Sequence, residues 1–134
     1  MNRKLKFRLG LGVVLVMISA IVVLYFYVYQ SHRDIDAEKV AFETSVSELS
    51  QRFINNPDSS TVTYADQTIS IYGNVTALDL KQNTITLDNK LVATTSKDQM
   101  NSAKMGELVK LKGRFIGYDE LFNELRMDQC TIEE

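Results

Sequence analysis

The chain has 134 residues, with 15 Lys/Arg against 17 Asp/Glu, one His, one Cys and no Trp. A single cysteine excludes an intramolecular disulfide, and a single imidazole leaves neither a Cys/His zinc set nor a Ser-His-Asp arrangement away from position 32. The near-neutral total hides an asymmetry: residues 30–134 hold 11 Lys/Arg and all 17 Asp/Glu, a net −6 that opposes non-specific attraction to phosphate backbones.

Leu9 to Tyr29 carries no charged side chain, and a membrane-crossing helix needs about 20 such residues. Residues 1–8 are a basic tail with Arg3, Lys4, Lys6 and Arg8, while the far flank begins His32-Arg33 and continues with Asp34 and Asp36. That bias predicts a single-pass anchor over 9–29 with a cytoplasmic N-terminus, placing the rest of the chain in the periplasm or outside the cell. A cleavable signal peptide is the alternative. The apolar run exceeds the ~7–15 residues of a cleavable segment, and it closes on Tyr25, Phe26, Tyr27 and Tyr29, which suit an interfacial aromatic belt.

Beyond the anchor, Asp34 or Asp36 caps an expected amphipathic helix over 34–55, stopped by Pro57. Phe42, Val46, Leu49 and Phe53 follow 4, 3, 4 spacing on one face. Phe42, Leu49 and Phe53 are therefore candidate partner-binding residues, by docking on the barrel, on another protein or on a second copy of the same helix. Residues 56–63 are expected to be a linker.

From Thr61 the period becomes two. Ile69, Ile71, Gly73, Val75 and Ala77 fall on one face of a first strand, with Ser70, Tyr72, Asn74 and Thr76 on the other. Polar turns at Lys81-Gln82-Asn83 and Asp88-Asn89-Lys90 bound a short strand with Ile85 and Leu87 inward. Leu91 to Thr95 is a third strand, and Ser96 to Met105 has room for a short helix. Val109, Leu111, Gly113 and Phe115 alternate against Lys110, Lys112 and Arg114 in a fourth strand, Gly117 to Glu120 turns, and Leu121 to Ile132 is the fifth. Five short strands with one helical insertion predict a mainly β, OB-type Greek-key barrel over 64–134 rather than a sandwich of about seven strands. Cys130 is expected inside it as a small apolar residue.

The segments I-S-I-Y-G-N-V, N-T-I-T-L, G-E-L-V-K-L-K-G-R-F-I-G-Y and L-R-M-D-Q-C-T-I, between Tyr64 and Ile132, resemble the tRNA_anti-like OB-fold family. The resemblance implies an OB barrel in an exported or membrane-anchored bacterial protein, and it does not imply tRNA binding. Thr94 and Thr95 stand where relatives often carry cysteine. A haem chaperone of similar build attaches haem to a histidine near its C-terminus, which this chain lacks.

No phosphate-cradling glycine loop, EF-hand or nucleophile-base pair is present, so no catalytic residue, metal site or cofactor is expected. OB barrels bind single strands through aromatic platforms on the second and third strands, and Thr84–Leu87 and Leu91–Thr95 contain no aromatic residue. Nucleic acid is accordingly disfavoured, with Tyr72 the sole platform and Lys110, Lys112 and Arg114 the sole basic stripe. Glu124 and Asp128 are expected to pair with that stripe. Two readings remain: an interaction module docking on another envelope protein, or an oligosaccharide- or peptide-binding groove built from Tyr72, Asn74 and Thr76. The first is favoured, because no sugar-stacking Trp exists.

Overall fold

The computed structural model describes residues 2–29 and 33–133, divided into two compact units at Arg33/Asp34. His32 lies outside the described residues. The first unit is helix α1 (Arg3–Val28), which has no buried residue and a mean hydropathy of 2.7 in its most apolar window. At 1.5 Å per residue it extends about 39 Å, long and apolar enough to cross a membrane. Its first turns include the four basic residues. Tyr25 stacks on Tyr29 with ring centroids 4.5 Å apart.

The second unit is a closed barrel. Strands β2 (Thr68–Asp79), β3 (Thr84–Leu87) and β4 (Leu91–Thr95) run as an antiparallel meander. β4 then pairs in parallel with β6 (Glu124–Glu133), β6 pairs antiparallel with β5 (Leu108–Asp119), and β5 closes on the first half of β2. This is the expected five-stranded OB topology. Helix α4 (Lys97–Ser102), capped by Ser96, fills the connection between β4 and β5.

Period-two alternation decides which residues face inward. Ile69, Ile71, Ile85, Leu87, Leu91, Leu111, Phe115 and Leu125 are fully buried, and Cys130 joins them. Gly113 is buried because nothing larger fits: a Cβ there would stand 2.9 Å from the Asp128 carbonyl oxygen and against the Cys130 sulfur. Ala77 departs from the expected inward set. A bulge between Val75 and Ala77 shifts the register, so Ala77 faces solvent and Leu78 packs on the core instead.

The segment before the barrel corrects two expectations. There is no helix over 34–55: residues 35–37 form a turn, Phe42–Ser45 form an additional strand, β1, parallel to β2, and the helix α2 covers only Val46–Asn55. The expected linker at 56–63 is mostly helix α3 (Pro57–Tyr64). Local chemistry accounts for both helices. Ser45 caps α2 by accepting a hydrogen bond from the Glu48 amide at 3.1 Å. Asn56 caps α3 in the same way, and Pro57 occupies the first helical turn, where its missing N–H costs nothing.

The apolar stripe is spent inside the domain. Leu49 and Phe53 are 0% and 1% exposed, with Phe53 packed against Tyr64, Phe115 and Tyr118. They are therefore core residues rather than a free docking face, and helix pairing between copies has no such face to use. Phe42 is 38% exposed and sits edge-on to Tyr64. The last strand also starts later than expected. β5 continues through Gly117 to Asp119, so the turn is Glu120 to Asn123 and β6 begins at Glu124.

Candidate partner-binding groove

Cross-strand register places Tyr72 of β2 opposite Lys110 of β5, and Asn74 opposite Leu108. Beside them lies an open groove of about 460 Å³, whose lining includes Tyr72, Ser102, Leu108, Lys110, Ile132 and Glu133. One wall is fixed by the Ile132 amide, which donates to Gln99 Oε1 at 2.8 Å and ties α4 to the end of β6. Tyr72 is 41% exposed and Leu108 65% exposed, an aromatic and an aliphatic surface side by side.

The charge in the groove is balanced rather than basic. Lys110 Nζ lies 3.0 Å from Glu43 Oε1 and 3.8 Å from Glu133 Oε2. The hydrogen bond to Glu43 is the main cause of an upward shift in the Lys110 pKa, with charge attraction from both carboxylates adding to it. Glu133 is held in turn by the Ser70 hydroxyl, which donates to it at 2.6 Å. Sequence reasoning names Tyr72 and Lys110 but misses Glu43, because the strand that carries it was read as helix. Leu108, at the first position of β5, was legible as an exposed apolar residue outside the inward alternation.

The other candidate residues have structural employment. Asn74 donates through its backbone amide and its side chain to Asp88 Oδ1, at 3.1 and 3.2 Å. The Thr76 hydroxyl donates to the Thr86 carbonyl and accepts from the Asn89 amide. Both fasten β2 to the β3–β4 turn rather than lining the groove.

Lys112 Nζ donates to the Asp36 carbonyl at 2.7 Å, and Thr131 donates to the Asp36 carboxylate at 2.8 Å. Residues 34–41 therefore form a strap, pinned to β5 and β6 at Asp36 and to β2 at Glu38 and Ala41, which both bond to Thr68. Arg114 makes a two-pronged pair with Asp128, with Asp66 3.7 Å away. Asp128 thus pairs with the basic stripe as expected, whereas Glu124 pairs with Arg126 at 3.0 Å. Outward positions on β3 and β4 are Thr84, Thr86, Val92 and Thr94. Among the described residues no group of three or more His, Cys, Asp or Glu is placed to hold a metal ion.

A closed five-stranded barrel with an added parallel strand defines an OB-type fold. The chain belongs to the tRNA_anti-like family, whose model matches residues 1–122. Among solved structures it is similar to a protein of Klebsiella pneumoniae described as a "putative nucleic acid-binding lipoprotein", at 13% identity and a TM-score of 0.51, over 69% of this chain and 91% of that one. It is also similar to a protein of Leishmania major described as a "putative aspartyl-tRNA synthetase", at 14% identity and a TM-score of 0.42, over 84% of this chain and 25% of that one. No curated protein matches.

Proposed function

We propose that the chain is a non-enzymatic, membrane-anchored binding module of the bacterial cell envelope. In this reading α1 spans the cytoplasmic membrane with its basic end inside, and the barrel stands in the periplasm or outside the cell. The Tyr72–Leu108–Lys110 groove receives an extended segment of another envelope protein. The observation that carries the reading is the pairing of two exposed apolar side chains with a Lys flanked by carboxylates. Such a mixture of apolar contact and fixed charge suits a polypeptide, whose side chains supply both.

The Klebsiella neighbour's description brings single-stranded nucleic acid forward as a second reading. Against it stand the internal engagement of Lys112 and Arg114 and the −6 charge after the anchor. The absence of aromatics on β3 and β4 removes stacking of about 1–3 kcal/mol per base.

A photo-crosslinking residue at position 108, compared with one at the exposed Thr94, tests the reading in cells. Capture of one defined protein from position 108, lost on Tyr72→Ala, is the expected result. Equal capture from both positions removes the groove from consideration. A micromolar complex of the full chain with single-stranded RNA at physiological salt, lost on Tyr72→Ala with Lys112→Ala, replaces the protein partner by nucleic acid.

A further inference from the structure

The groove beside Tyr72 carries more acid than base. Glu107, Lys110 and Glu133 line it, and Glu43 joins them through its contact with Lys110 Nζ at 3.0 Å. Three carboxylates thus stand against one ammonium, an excess of two negative charges. Lys104 is close in sequence but is not part of the lining. The Lys110 ammonium is committed to Glu43 and Glu133, and Glu133 also accepts from the Ser70 hydroxyl. Glu107 differs: its side chain has no hydrogen bond or ion pair among the described residues. Its backbone is nonetheless fixed. The Glu107 carbonyl accepts from the Val75 amide at 2.9 Å, and the adjacent Gly106 amide donates to the Val75 carbonyl at 2.8 Å. A positioned, unpaired carboxylate therefore shares the groove with the exposed Tyr72 ring and the exposed Leu108 side chain.

We infer that the polypeptide segment received by this groove is cationic, and that it presents a Lys or Arg side chain to Glu107 across the surface of Tyr72 and Leu108. The inference rests on the polypeptide reading of the groove and names the chemistry of the occupant. A long basic side chain matches both halves of the site, because its stem is apolar and its head is charged. The face of a tyrosine ring also attracts a cation. A neutral segment would cover Glu107 without pairing it, and a buried carboxylate without a partner is costly. An acidic segment or a phosphate backbone would meet repulsion from the excess carboxylates. The net −6 of residues 30–134 acts in the same direction at longer range, steering cationic segments toward the domain.

A random-peptide library displayed on phage, selected on the full chain in nanodiscs, tests this. Selected peptides are bound again to Tyr72→Ala and Leu108→Ala, two exposed positions whose truncation leaves the core intact. The expected binders are lost on both variants and carry Lys or Arg beside an aliphatic or aromatic residue. Glu107→Gln should weaken a synthetic copy about two- to fivefold, the range of an exposed ion pair, and Gln in place of the peptide's basic residue should weaken it at least as much. Glu107→Lys should in turn improve binding of a copy carrying Glu at that place. Tyr72-dependent binders without a basic residue, or indifferent to Glu107→Gln, overturn the cationic occupant and leave the groove a polypeptide site. Absence of any binder lost on Tyr72→Ala overturns both readings. Tyr72-dependent dimerisation of the chain, or Tyr72-dependent capture of an oligosaccharide from a glycan array, gives the groove a different occupant and overturns the inference.

Discussion

Replacing Phe53 by Ala tests whether α2 belongs to the barrel's core or merely connects it to the anchor. The ring is 1% exposed and lies 5.4 Å from the centroids of both Phe115 and Tyr118 and 6.2 Å from Tyr64. A buried Phe→Ala change costs about 3–5 kcal/mol in lost transfer energy and cavity formation, against a typical domain stability of about 5–15 kcal/mol. With about 4–8 °C of melting temperature lost per kcal/mol in a domain of this size, the melt should fall by more than about 12 °C. Circular dichroism melts of the fragment 30–134 measure this directly. Phe42→Ala is the matched control, because Phe42 is 38% exposed and its truncation should cost no more than about 1–2 kcal/mol. If Phe53→Ala melts no lower than Phe42→Ala, α2 does not plug the barrel and the core assignment is wrong.

Gly113→Ala should lower the melting temperature, since the added methyl meets the Asp128 carbonyl and the Cys130 sulfur, an overpacking cost of about 1–3 kcal/mol. Gly117→Ala has open space and should be near neutral in the same melts. Burial pushes the Cys130 thiol well above its usual range, with Asp128 adding to the shift, so a thiol reagent at neutral pH should label the chain only in denaturant. The Arg52 hydrogen bond, assisted by Thr44, holds the Glu48 carboxyl below its ordinary value. Its stabilisation is complete above the unfolded carboxylate range and is lost as pH falls through the lower folded value. Glu48→Gln should therefore lower the melting temperature at neutral pH and make no difference in strong acid.

The barrel was legible because its strands alternate cleanly. Ile69 with Ile71 and Ile85 with Leu87 each place two apolar residues two positions apart, and Leu111, Gly113 and Phe115 alternate with Lys112 and Arg114, a pattern a half-buried strand explains best. The region before it was misread because Phe42, Val46, Leu49 and Phe53 satisfy helical spacing even though Phe42 lies on a strand. Two local signals could have divided that region. Ser45 followed by Glu48 is a capping pair that starts a helix at Val46, and Asn56-Pro57 opens a helix as readily as it closes one. The groove was half legible. Tyr72 and Lys110 follow from outward positions on adjacent strands, but Glu43 reaches Lys110 only through β1, whose pairing is set by tertiary contact rather than by its own four residues. The basic stripe looked available because sequence cannot show that Lys112 holds a strap 76 residues earlier.

The claim on which the rest depends is that α1 stays attached and holds the barrel outside the cytoplasm. A reporter active only after export, fused behind Glu134 in a chain with a cytoplasmically detectable N-terminal tag, tests both halves in one strain. The account predicts an active reporter on a full-length, membrane-bound product that retains its tag. A stable fusion with an inactive reporter contradicts the orientation, and an active product that has lost its tag shows that the helix is a cleaved export signal.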